Sequence, residues 1–189
     1  MEQTSVQKLA RVLRVLVVVT FVCNIIALFF VPYLARRLYT GYGDLDCIVE
    51  TFRYDVDDGL AIFFDSAYYD VWERMDTAVL TMFLWFCGIC TAVILWQAKR
   101  VLDTILKGEP FTLSNAVSLK RAAVCCFVIS GAALLRLIWG FVTYRNILPL
   151  LTYNALFVPI FLMAGLVCMV MSALFRQAAE LKAENDLTI

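Results

Sequence analysis

Four apolar segments, each long enough to cross a bilayer as a helix, constrain the fold of this chain more than any other feature. They cover residues 15–35, 78–98, 122–143 and 150–174, and Arg136 in the third is the one charged residue inside them. A hydrocarbon core about 30 Å thick needs roughly 20 apolar residues of helix, because every backbone polar group must bond within its own segment. The sequence therefore predicts an all-α integral membrane protein, a four-helix transmembrane bundle that forms a single domain.

The amino-acid composition argues for a membrane protein and against several classes of function. Hydrophobic residues make up 62% of the 189 residues, whereas soluble domains are about 45–50% apolar. The net charge is zero, which argues against a nucleic-acid binder, since phosphate binding needs a basic surface. Histidine is absent, so no histidine base or histidine metal ligand exists. Six of the seven cysteines fall in or beside apolar sequence, where thiols resist ionisation, and we interpret them as packing residues. We expect no metal and no cofactor.

Lysine and arginine placement predicts the orientation. With a cytoplasmic N-terminus, ten of these residues lie in cytoplasmic segments and five in outer loops, while Arg136 lies in a span. Basic residues accumulate on the cytoplasmic side of a membrane. The bias predicts a multi-pass plasma membrane protein with both termini in the cytoplasm, although Arg36 and Arg37 after the first span oppose it.

The loop between the first two spans, residues 36–76, is long and acidic, with ten carboxylates against four arginines. Residues 48–56 alternate in polarity, an Asp-Asp-Gly turn follows at 57–59, and 60–64 can return as a second strand. A short helix is predicted at 67–75. We therefore expect a small extracytoplasmic insertion made of a β-hairpin and a helix. The aspartates of the turn lack the ligand register of a calcium loop, and we interpret them as solvated.

The inner loop between the second and third spans, residues 99–121, carries helix stop and start signals. Gly108 is placed as the residue that ends a helix, and Pro110 follows it. Thr112 is then suited to cap the next helix. The spans on either side should form a helical hairpin, and residues 175–186 should extend the fourth span as a cytoplasmic helix.

The inner loop also resembles a known family. Residues 106–115 read Leu-Lys-Gly-Glu-Pro-Phe-Thr-Leu-Ser-Asn, a basic pair follows at 120–121, and residues 181–186 read Leu-Lys-Ala-Glu-Asn-Asp. These phrases are similar to those of a bacterial membrane family catalogued only as domain of unknown function 2975. The resemblance implies four spans, the bacterial plasma membrane and no known enzyme activity. Members often look like partners of small helix-turn-helix regulators, which implies a regulatory role.

Arg136 is the residue whose insertion into the membrane is least favourable, because a charge at the centre of a span costs roughly 2.5–3.5 kcal/mol on insertion scales. It lies about 21 Å from the inner end of its span. Two interpretations stay open: a structural salt bridge, or an outward-facing ligand site. For the structural case we predict Asp76 at the outer rim as the partner. Asn24 and Asn154 complete the candidate intramembrane polar site, where asparagine normally joins helices.

No catalytic constellation is present in the sequence, and we expect no enzyme. The leading hypothesis is a regulatory, sensory or accessory membrane subunit that acts through a protein partner or as a homo-oligomer. Its candidate partner surface consists of Phe111, Thr112, Asn115, Glu184 and Asp186. The rival hypothesis is a small-molecule or ion transporter that uses Arg136 and the acidic outer loop.

Overall fold

The computed structural model describes residues 5–40, 72, 75–145, 147, 150 and 153–187. Within those residues, four helices contain the chain's regular structure: α1 Ser5–Thr40, α2 Met75–Leu106, α3 Leu113–Tyr144 and α4 Tyr153–Leu187. Each contains a stretch apolar and long enough to cross a membrane. The predicted all-α class with four spans is confirmed, and the chain is a multi-pass membrane protein.

The helices run well past the apolar segments that predicted them. The α2 helix continues to Leu106 and α4 to Leu187, which confirms the helical extensions expected at the inner loop and the C-terminus. The predicted β-hairpin at 48–64 lies outside the described residues, as does nearly all of the short helix at 67–75. The described part of the chain contains no strand, so the insertion stays a prediction.

The chain divides into two compact units. The first comprises residues 1–24 and 89–189, and the second comprises residues 25–88. In the first unit, segments of all four helices pack together, and the functional candidates of the α2–α3 loop and of α4 lie there.

Within the first unit, two contacts fix α1 antiparallel to α2. The guanidinium Nε of Arg14 lies 2.7 Å from a carboxylate oxygen of Asp103. Seven residues further along each helix, the rings of Phe21 and Trp96 lie 6.0 Å apart between centroids. The two contacts are seven residues apart on each helix, so α1 and α2 keep the same register over about two turns.

The α3 helix is the most buried of the four and contacts α4 along its length. Ser172 Oγ donates a hydrogen bond to the Ala116 carbonyl at 2.7 Å, and Ser130 Oγ donates to the Val158 carbonyl at 2.9 Å. Between these bonds Gly165 is buried, and a Cβ there would lie 2.7 Å from a ring carbon of Phe127. Small residues that let helices approach closely are typical of membrane helix pairs.

The α4 helix buries only a narrow stripe. Its less exposed residues follow a line with spacings of three and four, at positions 154, 158, 161, 165, 168, 172, 175 and 179, and the neighbouring positions 155, 164 and 178 widen it. Most other apolar side chains of its span are exposed, Met163 and Val167 for example by 66% and 61%. An apolar surface of this kind is stable when lipid rather than water surrounds it.

The second unit contains a proline whose cost is offset by a side chain. Pro32 lies inside α1 and has no N–H, so the Leu28 carbonyl one turn earlier loses its helical donor. The indole Nε1 of Trp85 donates to that carbonyl at 3.0 Å. Nearby, a Cβ added at Gly88 would lie 2.5 Å from a methyl of Leu28. The tryptophan thus satisfies the polar group that the proline exposes.

Candidate functional site

The loop between α2 and α3 folds as a tight, fully hydrogen-bonded turn. Gly108 adopts a φ of +84°, and its N–H bonds to the Ile105 carbonyl at 3.1 Å. The N–H of Glu109 bonds to the Thr104 carbonyl at 3.1 Å. These two bonds form a Schellman motif, which satisfies the last carbonyls of α2 and favours glycine at the left-handed position. The predicted helix stop at Gly108 is confirmed.

Thr112 begins α3 as predicted. Its backbone is extended, and its hydroxyl oxygen accepts a hydrogen bond from the Asn115 N–H at 3.4 Å. An N-cap of this kind satisfies one of the free donors of the first helical turn. The Thr112 side chain is therefore engaged with its own helix, although it stays half-exposed.

Asn115 holds the two ends of the turn together from inside. Its side-chain amide donates to the Thr104 hydroxyl at 2.6 Å and to the Pro110 carbonyl at 2.7 Å. The residue is only 1% exposed. The sequence prediction placed Asn115 on the exposed partner surface, and the structure corrects this, because a buried amide with both donors used has no reach to a partner. Its role is to fix the conformation of the turn.

Phe111 is the exposed apolar residue of the turn. It is 49% exposed, and its ring lies 5.7 Å from that of Phe175 on α4, in a tilted arrangement. Next to it, Leu113 is 56% exposed. The contact with Phe175 orients the Phe111 ring and leaves about half of the residue exposed.

Beyond Phe175, the α4 helix is charged and exposed. Arg176 and Glu180 form an ion pair at 2.8 Å one turn apart, and Glu184 follows at the next turn, also exposed. Asp186 lies in the helix, but its side chain is outside the described residues. We name the surface formed by Phe111, Leu113 and this end of α4 the turn face.

Arg136 lies on α3 and points toward α4. Its Nη1 lies 3.5 Å from the side-chain oxygen of Asn154, so the structure brings together two of the four residues of the candidate intramembrane site. The guanidinium is half-buried. Asp76 belongs to the other compact unit, and its pairing with Arg136 stays a prediction.

Two buried amides have acceptor oxygens without a hydrogen-bond partner among the described residues. One is Asn24 on α1, which the sequence indicated, and the other is Gln97 on α2, which it did not. Gln97 is 7% exposed. The structure does not place Asn24 beside Arg136 by any hydrogen bond within the described ranges.

Cysteines form two contacts between helices in the first unit. The Cys90 thiol interacts with that of Cys125, and the Cys126 thiol interacts with that of Cys168. Cys125 and Cys126 are adjacent on α3, and these contacts show that the first faces α2 and the second faces α4. Nowhere in the described chain do three metal-ligating side chains converge closely enough to hold an ion.

One of the comparisons with known proteins finds a matching family. Residues 57–189 match the model of a family described as a protein of unknown function, DUF2975. The match covers α2, the turn, α3 and α4, which is more than half of the chain. The chain belongs to the DUF2975 family. The α1 helix precedes the residues that match the DUF2975 model. No curated protein and no solved structure matches the chain.

Sequence reasoning missed several of the residues that build this site. Thr104 was not noticed, because its hydroxyl matters only once Asn115 folds back beside it. Ser172 has no signal in the sequence that it would donate the hydrogen bond joining α4 to the Ala116 carbonyl. Gln97 offered a usable signal, since an amide in the last turn of an otherwise apolar span is unusual.

Proposed function

We propose that this DUF2975 protein is a non-enzymatic regulatory, sensory or accessory subunit of the plasma membrane that acts through a protein partner bound at the turn face. The observation that carries the proposal is the Asn115 bond network, because it gives an exposed loop the rigidity of a helix end.

Rigid display of an aromatic side chain favours protein binding. The Phe111 ring packs against that of Phe175, and the Schellman turn holds the backbone just before it. Aromatic anchors that are ordered before binding lose little conformational entropy in a complex, and they dominate the energy of many interfaces. The charges of Arg176 and Glu180 supply a polar rim next to this anchor.

The proposal includes the side of the membrane on which the partner is found. The count of ten basic residues against five supports a cytoplasmic position for both termini, and hence for the turn face. The sequence contains no histidine, and no carboxylate lies within the predicted spans. These features support a binding role over catalysis.

Photo-crosslinking in native membranes tests the proposal. A photoreactive benzoylphenylalanine replaces Phe111 in one variant and Leu135 in another, which is 69% exposed on α3 inside the apolar span. We expect position 111 to yield a discrete protein adduct and position 135 to yield lipid adducts only. Equal adducts at both positions, or none at 111 in cells that produce the chain at its natural level, would contradict the proposal.

The Arg136–Asn154 contact favours one alternative, a transporter for a small anion. Reconstituted vesicles loaded with a halide or phosphate would then show a flux that Arg136→Leu abolishes. In the regulatory proposal, Arg136→Leu leaves vesicle permeability unchanged and alters only the stability of the α3–α4 pair.

A further inference from the structure

Two basic residues of α2 lie level with a purely apolar part of α1. Lys99 and Arg100 fall between Trp96 and Asp103, the two residues that fix α2 against α1. The facing stretch of α1, residues 15–20, has no charge, and most of its side chains are exposed.

Two basic residues of α3 have the same relation to α4. Lys120 and Arg121 fall between Ala116 and Phe127, both of which contact α4. The α4 residues alongside, 166–171, read Leu-Val-Cys-Met-Val-Met and are mostly exposed. Both pairs of basic residues, on α2 beside α1 and on α3 beside α4, therefore lie at a level where the neighbouring helix has exposed apolar side chains.

The two basic pairs lie at similar depth. The Asn115–Thr104 bond joins α2 and α3. Arg100 precedes Thr104 by four residues, and Lys120 follows Asn115 by five, which are distances of about 6 Å and 7.5 Å along the helices. We name the four residues Lys99, Arg100, Lys120 and Arg121 the basic band.

No carboxylate of the described residues forms an ion pair with the basic band. Lys99 lies 5.0 Å from the ring centre of Trp96, while Arg100, Lys120 and Arg121 are exposed. Trp96 is 48% exposed, and tryptophan at a lipid-facing position is typical of the headgroup level. Cations at this level are stabilised when they extend toward phosphate groups, since a charge left among acyl chains is costly.

We propose that the basic band binds the phosphate groups of anionic membrane lipids. Apolar surfaces of α1 and α4 at the same level accommodate the acyl chains, and the guanidinium groups of Arg100 and Arg121 suit bidentate contact with phosphate oxygens. Each basic residue near an anionic lipid surface strengthens binding by about fivefold. Three exposed cations together should contribute about a hundredfold.

Lipid binding to the purified full-length chain in neutral detergent tests this proposal. Native mass spectrometry measures the apparent affinity for phosphatidylglycerol and for phosphatidylcholine. The unchanged chain should prefer phosphatidylglycerol, and the combined variant Arg100→Gln, Lys120→Gln, Arg121→Gln should lose about a hundredfold in affinity for it. The charge-preserving variant Arg100→Lys, Lys120→Arg, Arg121→Lys should keep most of the affinity, which separates a loss of binding from a loss of folding.

A matched control removes the same charge from positions outside the basic band. The variant Lys107→Gln, Arg176→Gln, Lys182→Gln alters three exposed basic residues outside the basic band and should change the affinity less than threefold. Equal losses in the two glutamine variants would overturn the proposal, because attraction would then depend on net charge alone. Displacement of phosphatidylglycerol by millimolar inorganic phosphate would overturn it too, since the site would then recognise free phosphate rather than lipid.

Discussion

Replacing Asn115 with alanine removes the two hydrogen bonds that close the α2–α3 turn, at 2.6 Å to Thr104 and 2.7 Å to Pro110. Each bond contributes about 1 kcal/mol, and the buried carbonyl left without a donor adds its desolvation cost. The side chain is 1% exposed, so its loss also leaves a small cavity. We expect Asn115→Ala to lower the free energy of unfolding by about 2–4 kcal/mol.

The assay is unfolding by dodecyl sulfate titration in mixed micelles, followed through the fluorescence of the four tryptophans. Ser114→Ala is the matched control, because Ser114 is the exposed neighbour and its change should stay within about 0.5 kcal/mol. Combining Asn115→Ala with Thr104→Val should show a coupling energy of about 1 kcal/mol. Additive effects, or a value for Asn115→Ala equal to that of Ser114→Ala, would refute the reasoning.

Two further predictions concern helix packing, and the same titration measures both. Trp85→Phe should lower the free energy of unfolding by about 1 kcal/mol or more, because the Leu28 carbonyl loses its donor. This loss should shrink in a Pro32→Ala background, where the helix supplies an N–H to the same carbonyl. A loss that is equal in both backgrounds would contradict the prediction. Gly165→Ala should lower the free energy of unfolding by about 1–3 kcal/mol, because the added methyl group overpacks the contact with α3. Gly131→Ala should be neutral or stabilising, since nothing lies within 4 Å of its added Cβ. Equal effects of the two variants would be inconsistent with the packing described.

Features that depend on one segment alone were predictable from the sequence. The spans follow from the length of uncharged apolar runs, because lipid leaves the backbone no partner except its own helix. The stop at Gly108 and the cap at Thr112 are equally local, since each depends on residues at most five positions away. The sequence therefore predicts the outline of the α2–α3 turn.

Features that depend on the register between helices were not predictable. Asn115 was assigned to the surface because nothing near it in sequence shows that Thr104, on the opposite helix, would lie within 2.6 Å. The α3–α4 register also brings the neutral Asn154 within 3.5 Å of the Arg136 guanidinium, a neighbour that a search for countercharges does not find, while the pairing with Asp76 stays a prediction. In both cases the neighbour belongs to another helix, and its position depends on the register between the two helices.

The most direct test of the account measures which residues face the same side of the membrane. The turn face can exist only if the α2–α3 turn and the end of α4 lie on the same side. In a cysteine-free chain, single cysteines are introduced at Lys8, Lys107 and Lys182, and Cys47 is restored in a fourth variant. An impermeant thiol reagent is applied to intact cells and then to inverted membrane vesicles. Four crossings with cytoplasmic termini predict that the first three react only in inverted vesicles and Cys47 only in intact cells. Labelling of position 107 or 182 together with Cys47 from the same side would contradict the account.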